Sequence, residues 1–404
     1  MKTTQLNRGM LPSALILIIT LLVACEPTQE TDTARTPQHA NSDNAAFVTR
    51  LGADTLVVER FTRTPTRMEA DVVIRTPRTR VRHYVLETDD TGAMTRYEAT
   101  IRDPDAAADA APLRHDVATF EGDSLVLIIE QDGETQRRAV AGHSGMLPFV
   151  DMVHWPFELM LARAYASGAD SVTQDLFTGG RNLPFVVRRI GADSMTAQHP
   201  FRGTMGVDVD EAGRLIFLDA GATTRKLKVE RVASVDVEGL ATMFAARDAA
   251  GRSFGALSGR GAANATVHGA TIAIDYGTPV KRGREIFGAL VPYGERWRTG
   301  ANRATHFTTD RDLTVAGLDV PAGEYTLSTI LAEDGGTLII NTQTGQGGTT
   351  YNQDRDLGRV ALTRSSLDET VEVFTIVVEE TADGGVLKLQ WDRTAFSVPF
   401  TVGG

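Results

Sequence analysis

Beyond residue 25 the chain has no cysteine, Cys25 being the only one among its 404 residues. Disulfides, thiolate metal sites and cysteine nucleophiles are thereby excluded from the body of the protein, even in an oxidising compartment. Long apolar runs are also missing, apart from one that begins near Leu11 and ends at Ala24. It is only about half of the ~20 residues that a spanning helix needs. Ahead of it stand Lys2 and Arg8 with no acidic residue. Basic character is scarce elsewhere: the formal charge is −11, and losing Lys2 and Arg8 would take it to −13. A nucleic-acid binder would show a basic stripe, so no nucleic-acid partner is expected. Anionic head groups would repel so acidic a body. The sequence also lacks a G-x-x-x-x-G-K-[ST] loop and the strand-to-helix context of a dinucleotide fold. No cofactor is expected.

The N-terminus is the most informative segment. A charged start, a short apolar stretch and small residues before a cleavage point make a signal peptide of residues 1–24. The ending Leu22-Val23-Ala24-Cys25 resembles the lipobox of bacterial lipoproteins. That resemblance implies cleavage before Cys25 and acylation of its new terminus by chains such as palmitate. Each buried methylene adds ~0.8 kcal/mol of membrane affinity, and stable anchoring takes more than one chain. Glu26 stands where aspartate commonly signals inner-membrane retention, so the outer membrane of a two-membrane host is the expected location. Residues 25–45 are polar, without apolar periodicity, and read as a disordered tether. About 20 such residues span roughly 25 Å.

From Phe47 to about Val235 the dominant period is two, in short strands such as Thr55 to Phe61, Val81 to Thr88 and Leu125 to Glu130. Turn chemistry separates them, as in Asp89-Asp90-Thr91-Gly92 and Gln131-Asp132-Gly133. Met146 to Tyr165 instead has helical spacing, and Leu240, Met243 and Phe244 form an i, i+3, i+4 stripe after an Asp236 cap. The fold class expected is mainly β. Residues 46–250 should form a curved antiparallel sheet with one or two packing helices, 251–261 a small-residue linker, and 262–404 a β-sandwich-like domain.

Candidate chemistry in the first half is incomplete. Gly142-His143-Ser144-Gly145-Met146 nearly spells a nucleophile elbow, but Met146 replaces the required glycine and no βαβ context presents the serine. Asp151, His154 and Glu158 would share a helical face, as metal ligands or as a solvated face. Asp208-Val209-Asp210-Glu211-Ala212-Gly213 echoes a calcium loop but closes on Asp219 between strands, which favours a hairpin turn. No catalytic residue and no metal site is assigned.

The last part of the chain is more distinctive. Ala273-Ile274-Asp275-Tyr276-Gly277 leads through Lys281-Arg282-Gly283-Arg284 to Pro292-Tyr293-Gly294 and Trp297-Arg298-Thr299-Gly300-Ala301-Asn302. Pro321-Ala322-Gly323-Glu324-Tyr325 and Trp391-Asp392 follow. Together, from Ala263 to Val402, these resemble the bacterial family called domain of unknown function 2911. The resemblance implies a secreted or lipid-anchored β-rich domain and supplies no reaction. Three departures stand out: the turn at Lys281 is one residue longer, Arg303 replaces an acidic residue, and no tryptophan opens the strand at Gly335.

Read by their chemistry, Tyr293, Trp297, Arg298 and Asn302 form a recognition set around two turns. Arg298 would fork onto a carboxylate or phosphate, Trp297 and Tyr293 would stack on a ring, and Asn302 would both donate and accept. The same residues also fit a packed arrangement, with Trp297 a core anchor, Arg298 paired with Asp275 or Glu295, and Asn302 capping a loop. The sequence leaves both open. The function expected is a non-catalytic, lipid-anchored envelope protein whose partners are the membrane, through its lipid, and a small-molecule ligand. Alternatives are an acyl-chain carrier using the first sheet and an unrecognised hydrolase.

Overall fold

A computed structural model describes residues 43–107 and 109–403. Cys25, the expected signal peptide and residues 25–42 of the expected tether lie outside the described residues. Residues 43–45, expected to end the tether, belong to the first strand, Asp43–Leu51, where Ala45 is already buried.

The mainly β class is what the structure shows, as two antiparallel assemblies. In the N-terminal sheet of fifteen strands, Asp43–Leu51 sits in the middle of the order and the chain meanders outward from it to Glu134–Ala141. The second half returns from Leu147–Pro148 to Leu227–Val232, which pairs with Asp43–Leu51 in the register Ala46↔Val232 to Leu51↔Leu227. Every neighbouring pair is antiparallel except Leu147–Pro148 with Ser171–Phe177. The sheet curls until its ends approach, and the Asn182 side chain donates to the Ala141 carbonyl at 2.7 Å.

Helix α1, Trp155–Ala166, lies inside this curl, with Trp155, Met160 and Leu161 wholly buried. The helix was expected to begin near Met146. It starts nine residues later because Met152 takes a left-handed φ of 69° and Pro156, lacking an N–H, suits the first turn. Asp151 therefore lies outside the helix and shares no face with Glu158. The N–H groups of His154 and Trp155, which have no partner within the helix, donate to the buried Glu59 carboxylate at 2.9–3.0 Å. A strand thus caps the helix from across the core.

Helix α2, Val237–Ala249, covers the opposite face. Alternation along Asp54–Arg63 explains both contacts: Val57 and Phe61 join the interior core, while Val58 meets Val237, Ala241 and Phe244 of α2. The expected Asp236 cap is present, accepting from Gly239 N at 2.9 Å. The buried stripe is rotated from the expected one, since Met243 remains exposed. The linker expected over 251–261 ends earlier, because strand Ser258–Val267 already includes its last residues.

The C-terminal sheet of ten strands is sandwich-like. Its long hairpin, Asp356–Thr381 with Gly384–Val402, changes register between Ser366, Val371 and Thr375. Such bulges bend a strand. The distal half thereby reaches the first strands: Val280 bridges Val373, and the Tyr276 hydroxyl accepts from Ile376 N at 3.0 Å. Tyr276, Phe307, Phe374, Trp391 and Phe396 form the core between the layers.

Candidate functional site

Trp297 ends a two-residue strand, Arg296–Trp297, paired with Gly323–Leu331. Its indole N–H donates to Gly300 O at 3.1 Å, and its ring lies 5.9 Å from Trp391, nearly parallel at 17°. The chain then turns sharply through Thr299, with φ 53°, and Asn302, with φ 63°. A β-branched residue in that region is a genuine outlier. Thr299 is held there by burial: its hydroxyl reaches Thr329 Oγ1 at 3.2 Å and its carbonyl accepts from Thr305 at 2.7 Å. The turn can sit so close to the sheet only because Gly277 lacks a side chain, since a Cβ there would fall 1.9 Å from Ala301 O.

This turn forms one wall of a cleft of about 630 Å³. Trp297, Arg298 and Asn302 all line it, joined by Arg284, Arg296 and Trp391. The other wall comes from the N-terminal sheet: Phe201 and Arg202 on one hairpin turn, and Thr223 to Lys226 on a neighbouring loop. The two loops are tied by Thr224 N donating to Arg202 O at 3.0 Å. Tyr293, expected in the set, is not part of the lining. It packs against Gly288 and the sandwich core instead.

The electrostatics of the cleft run against those of the chain. Lys226, Arg284, Arg296 and Arg298 line it without an ion pair among the described residues, whereas Arg202 and Arg225 share Asp151. Burial lowers the pKa of all four unpaired cations. The neighbouring Arg296 adds to this at Arg298, and Arg282 adds to it at Arg284. At Lys226 the burial effect is opposed by Glu295 and reinforced by Arg284 and Arg298. Arg298 pairs with neither expected carboxylate: Asp275 is engaged by Arg260 at 2.6 Å and by Arg303 at 3.9 Å. The stem of Arg298 instead lies over Gly348, where a Cβ would meet its Cδ at 2.5 Å. In place of carboxylates, Arg284 donates to the Lys281 and Val280 carbonyls, Arg296 to Ser328 Oγ at 3.1 Å and Arg298 to Asn302 O at 3.4 Å.

The other candidates resolve into structure. His143 pairs with Asp175 at 3.0 Å, and Ser144 accepts from Met94 N through its carbonyl. His154 precedes α1, and Glu158 is buried against Arg231 at 3.0 Å and Leu215 N at 2.9 Å. Asp210 closes a hairpin turn by accepting from Ala212 N and Arg214 N, both at 2.9 Å. Sequence reasoning missed Phe201, Lys226 and the role of Arg284. Only the His199-Pro200 turn before Phe201 and the Lys281–Arg284 turn gave local signals, because the wall itself arises from distant loops.

Comparison with known proteins adds a family to the C-terminal part. Residues 258–400 match the model of a family described as a protein of unknown function, DUF2911. No curated protein matches the chain. A solved structure similar to it is a β-barrel-like protein of domain of unknown function DUF1849 from Brucella abortus. It is 12% identical, covers 48% of this chain and 95% of its own, and has a TM-score of 0.31.

Proposed function

We propose that the protein is a lipid-anchored cell-envelope protein, held at the outer membrane through acylated Cys25, that binds a small anionic ligand in the cleft between its two sheets. The observation that carries this reading is the set of four half-buried cations that make no ion pair among the described residues, in a chain of net charge −11. Each offers charge-assisted hydrogen bonds, worth roughly 1.5–3 kcal/mol when made to an ionised partner. One carboxylate, Glu295, also lines the cleft, near enough to Lys226 to oppose the effect of burial on it. An acyl carrier would need the interior that α1 occupies. The apolar cavity beside that helix is about 40 Å³, against roughly 300 Å³ or more for a ligand pocket.

Calorimetric titration of the purified protein with citrate and with inorganic phosphate tests this reading. Binding should weaken with added salt and fall at least tenfold in Arg298→Ala. Absence of binding by either anion, or equal binding by the variant, would remove the reading.

A further inference from the structure

We infer that the ligand is a short anionic saccharide, gripped by one ring and one charge on each wall of the cleft; this rests on the cleft being the binding site. Phe201 on the N-terminal wall is 65% exposed. Ile190 is as exposed, but Phe201 alone of the two lines the basic cleft, at its lip. The Arg181 guanidinium lies 5.0 Å from its ring centroid, which orients the ring without covering it fully. Across the cleft, Trp297 stacks on Trp391 and meets Phe374 edge-to-face at 4.9 Å, and the part of it that stays exposed lines the cleft.

A free inorganic anion makes no use of these rings. A lipid would want apolar walls, whereas Lys226, Arg298, Asn302 and Thr349 are part of the lining. Sugar rings suit this mixture. Their C–H faces stack on aromatic rings, and their hydroxyls, which both donate and accept, match Asn302 and Thr349. Carboxylate or phosphate substituents on successive rings would reach Lys226 on one wall and Arg298 on the other. At about 630 Å³ the cleft lies within the range that holds ligands of several rings.

Two of the three tryptophans, Trp297 and Trp391, line the cleft, so intrinsic fluorescence of the full chain reports occupancy directly. A uronic-acid trisaccharide or glucose 1,6-bisphosphate should change the emission saturably, the first showing carboxylate and the second phosphate recognition. Maltotriose, a neutral trisaccharide, should not. Phe201→Ala should weaken the anionic sugar roughly tenfold, Phe201→Trp should restore it, and citrate affinity should be the same in all three proteins. Citrate binding as tightly as the sugars, with no effect of Phe201→Ala, would overturn the saccharide inference while leaving the anion cleft standing. A nucleoside diphosphate binding more tightly than both sugars would overturn it too. Failure of citrate, phosphate and sugars alike would remove both.

Discussion

The guanidinium carbon of Arg282 lies 3.8 Å from the centroid of the Phe254 ring. The same side chain donates to Asp54 at 3.2 Å and to Phe254 O at 3.0 Å, and Ala53 N donates to Arg282 O at 3.0 Å. The turn that carries Arg284 into the cleft is thus fastened to the N-terminal sheet. Arg282→Ala should lower stability by about 2–4 kcal/mol and weaken anion binding without touching the ligand. Arg282→Lys should not restore it, because an ammonium cannot stack and fork at once. Urea midpoints and amide exchange over residues 251–257 are the measurements; a wild-type midpoint in the alanine variant would refute the fastening role.

Gly348 makes room for Arg298, and adding a Cβ there would bring it within 2.8 Å of Asn302 O as well as onto the Arg298 stem. Gly348→Ala should therefore displace the guanidinium and reduce anion affinity about tenfold. The fold should survive, because Gly348 lies in a loop at the edge of the sandwich. Calorimetry beside far-ultraviolet circular dichroism checks both halves of the expectation.

His199 gives a pH dependence with a defined sign. Its Nδ1 accepts from Phe201 N at 3.1 Å, while Phe149 and Phe185 enclose the ring. Burial first, and the Arg202 charge second, push its pKa down to about 4. The unfolded chain takes up this proton near pH 6.5 and the folded one does not. Stability is therefore fully present above pH 6.5 and declines as the pH falls to about 4, by at most about 3 kcal/mol. Urea unfolding at pH 7, 5.5 and 4.5 should show the decline in wild type and a flatter profile in His199→Phe. Parallel profiles would show that another group is responsible.

Membrane attachment is predicted to depend on one atom, the Cys25 sulfur. Cys25→Ser should abolish incorporation of labelled palmitate and move the protein to the soluble fraction, because the acidic body has no electrostatic attraction to anionic lipid. Retention of the variant in the membrane fraction would mean that something other than the lipid holds it.

Local pattern made much of the fold readable. Period-two strands with Asp-Gly turns specify an antiparallel meander, and the Asp236 cap marks the start of α2. The 146–165 segment misled because apolar residues at helical spacing also suit an irregular segment packed against a sheet, and the left-handed Met152 separates the two. In the candidate site, Trp297, Arg298 and Asn302 were legible because aromatic, guanidinium and amide groups crowd around glycine turns. Tyr293 shares that local chemistry, yet its ring lies on Gly288.

The sequence by itself determined the absence of thiol chemistry beyond Cys25, the β class and its turns, since each depends on residue type and near-neighbour spacing. Only the tertiary structure decided that Lys226 and Phe201 face Arg298 and Trp297 across one cleft, and that Arg298 makes no ion pair among the described residues. Those facts depend on how two sheets, more than 70 residues apart along the chain at these points, are fastened at Arg282 and Phe254, and no local pattern encodes that distance.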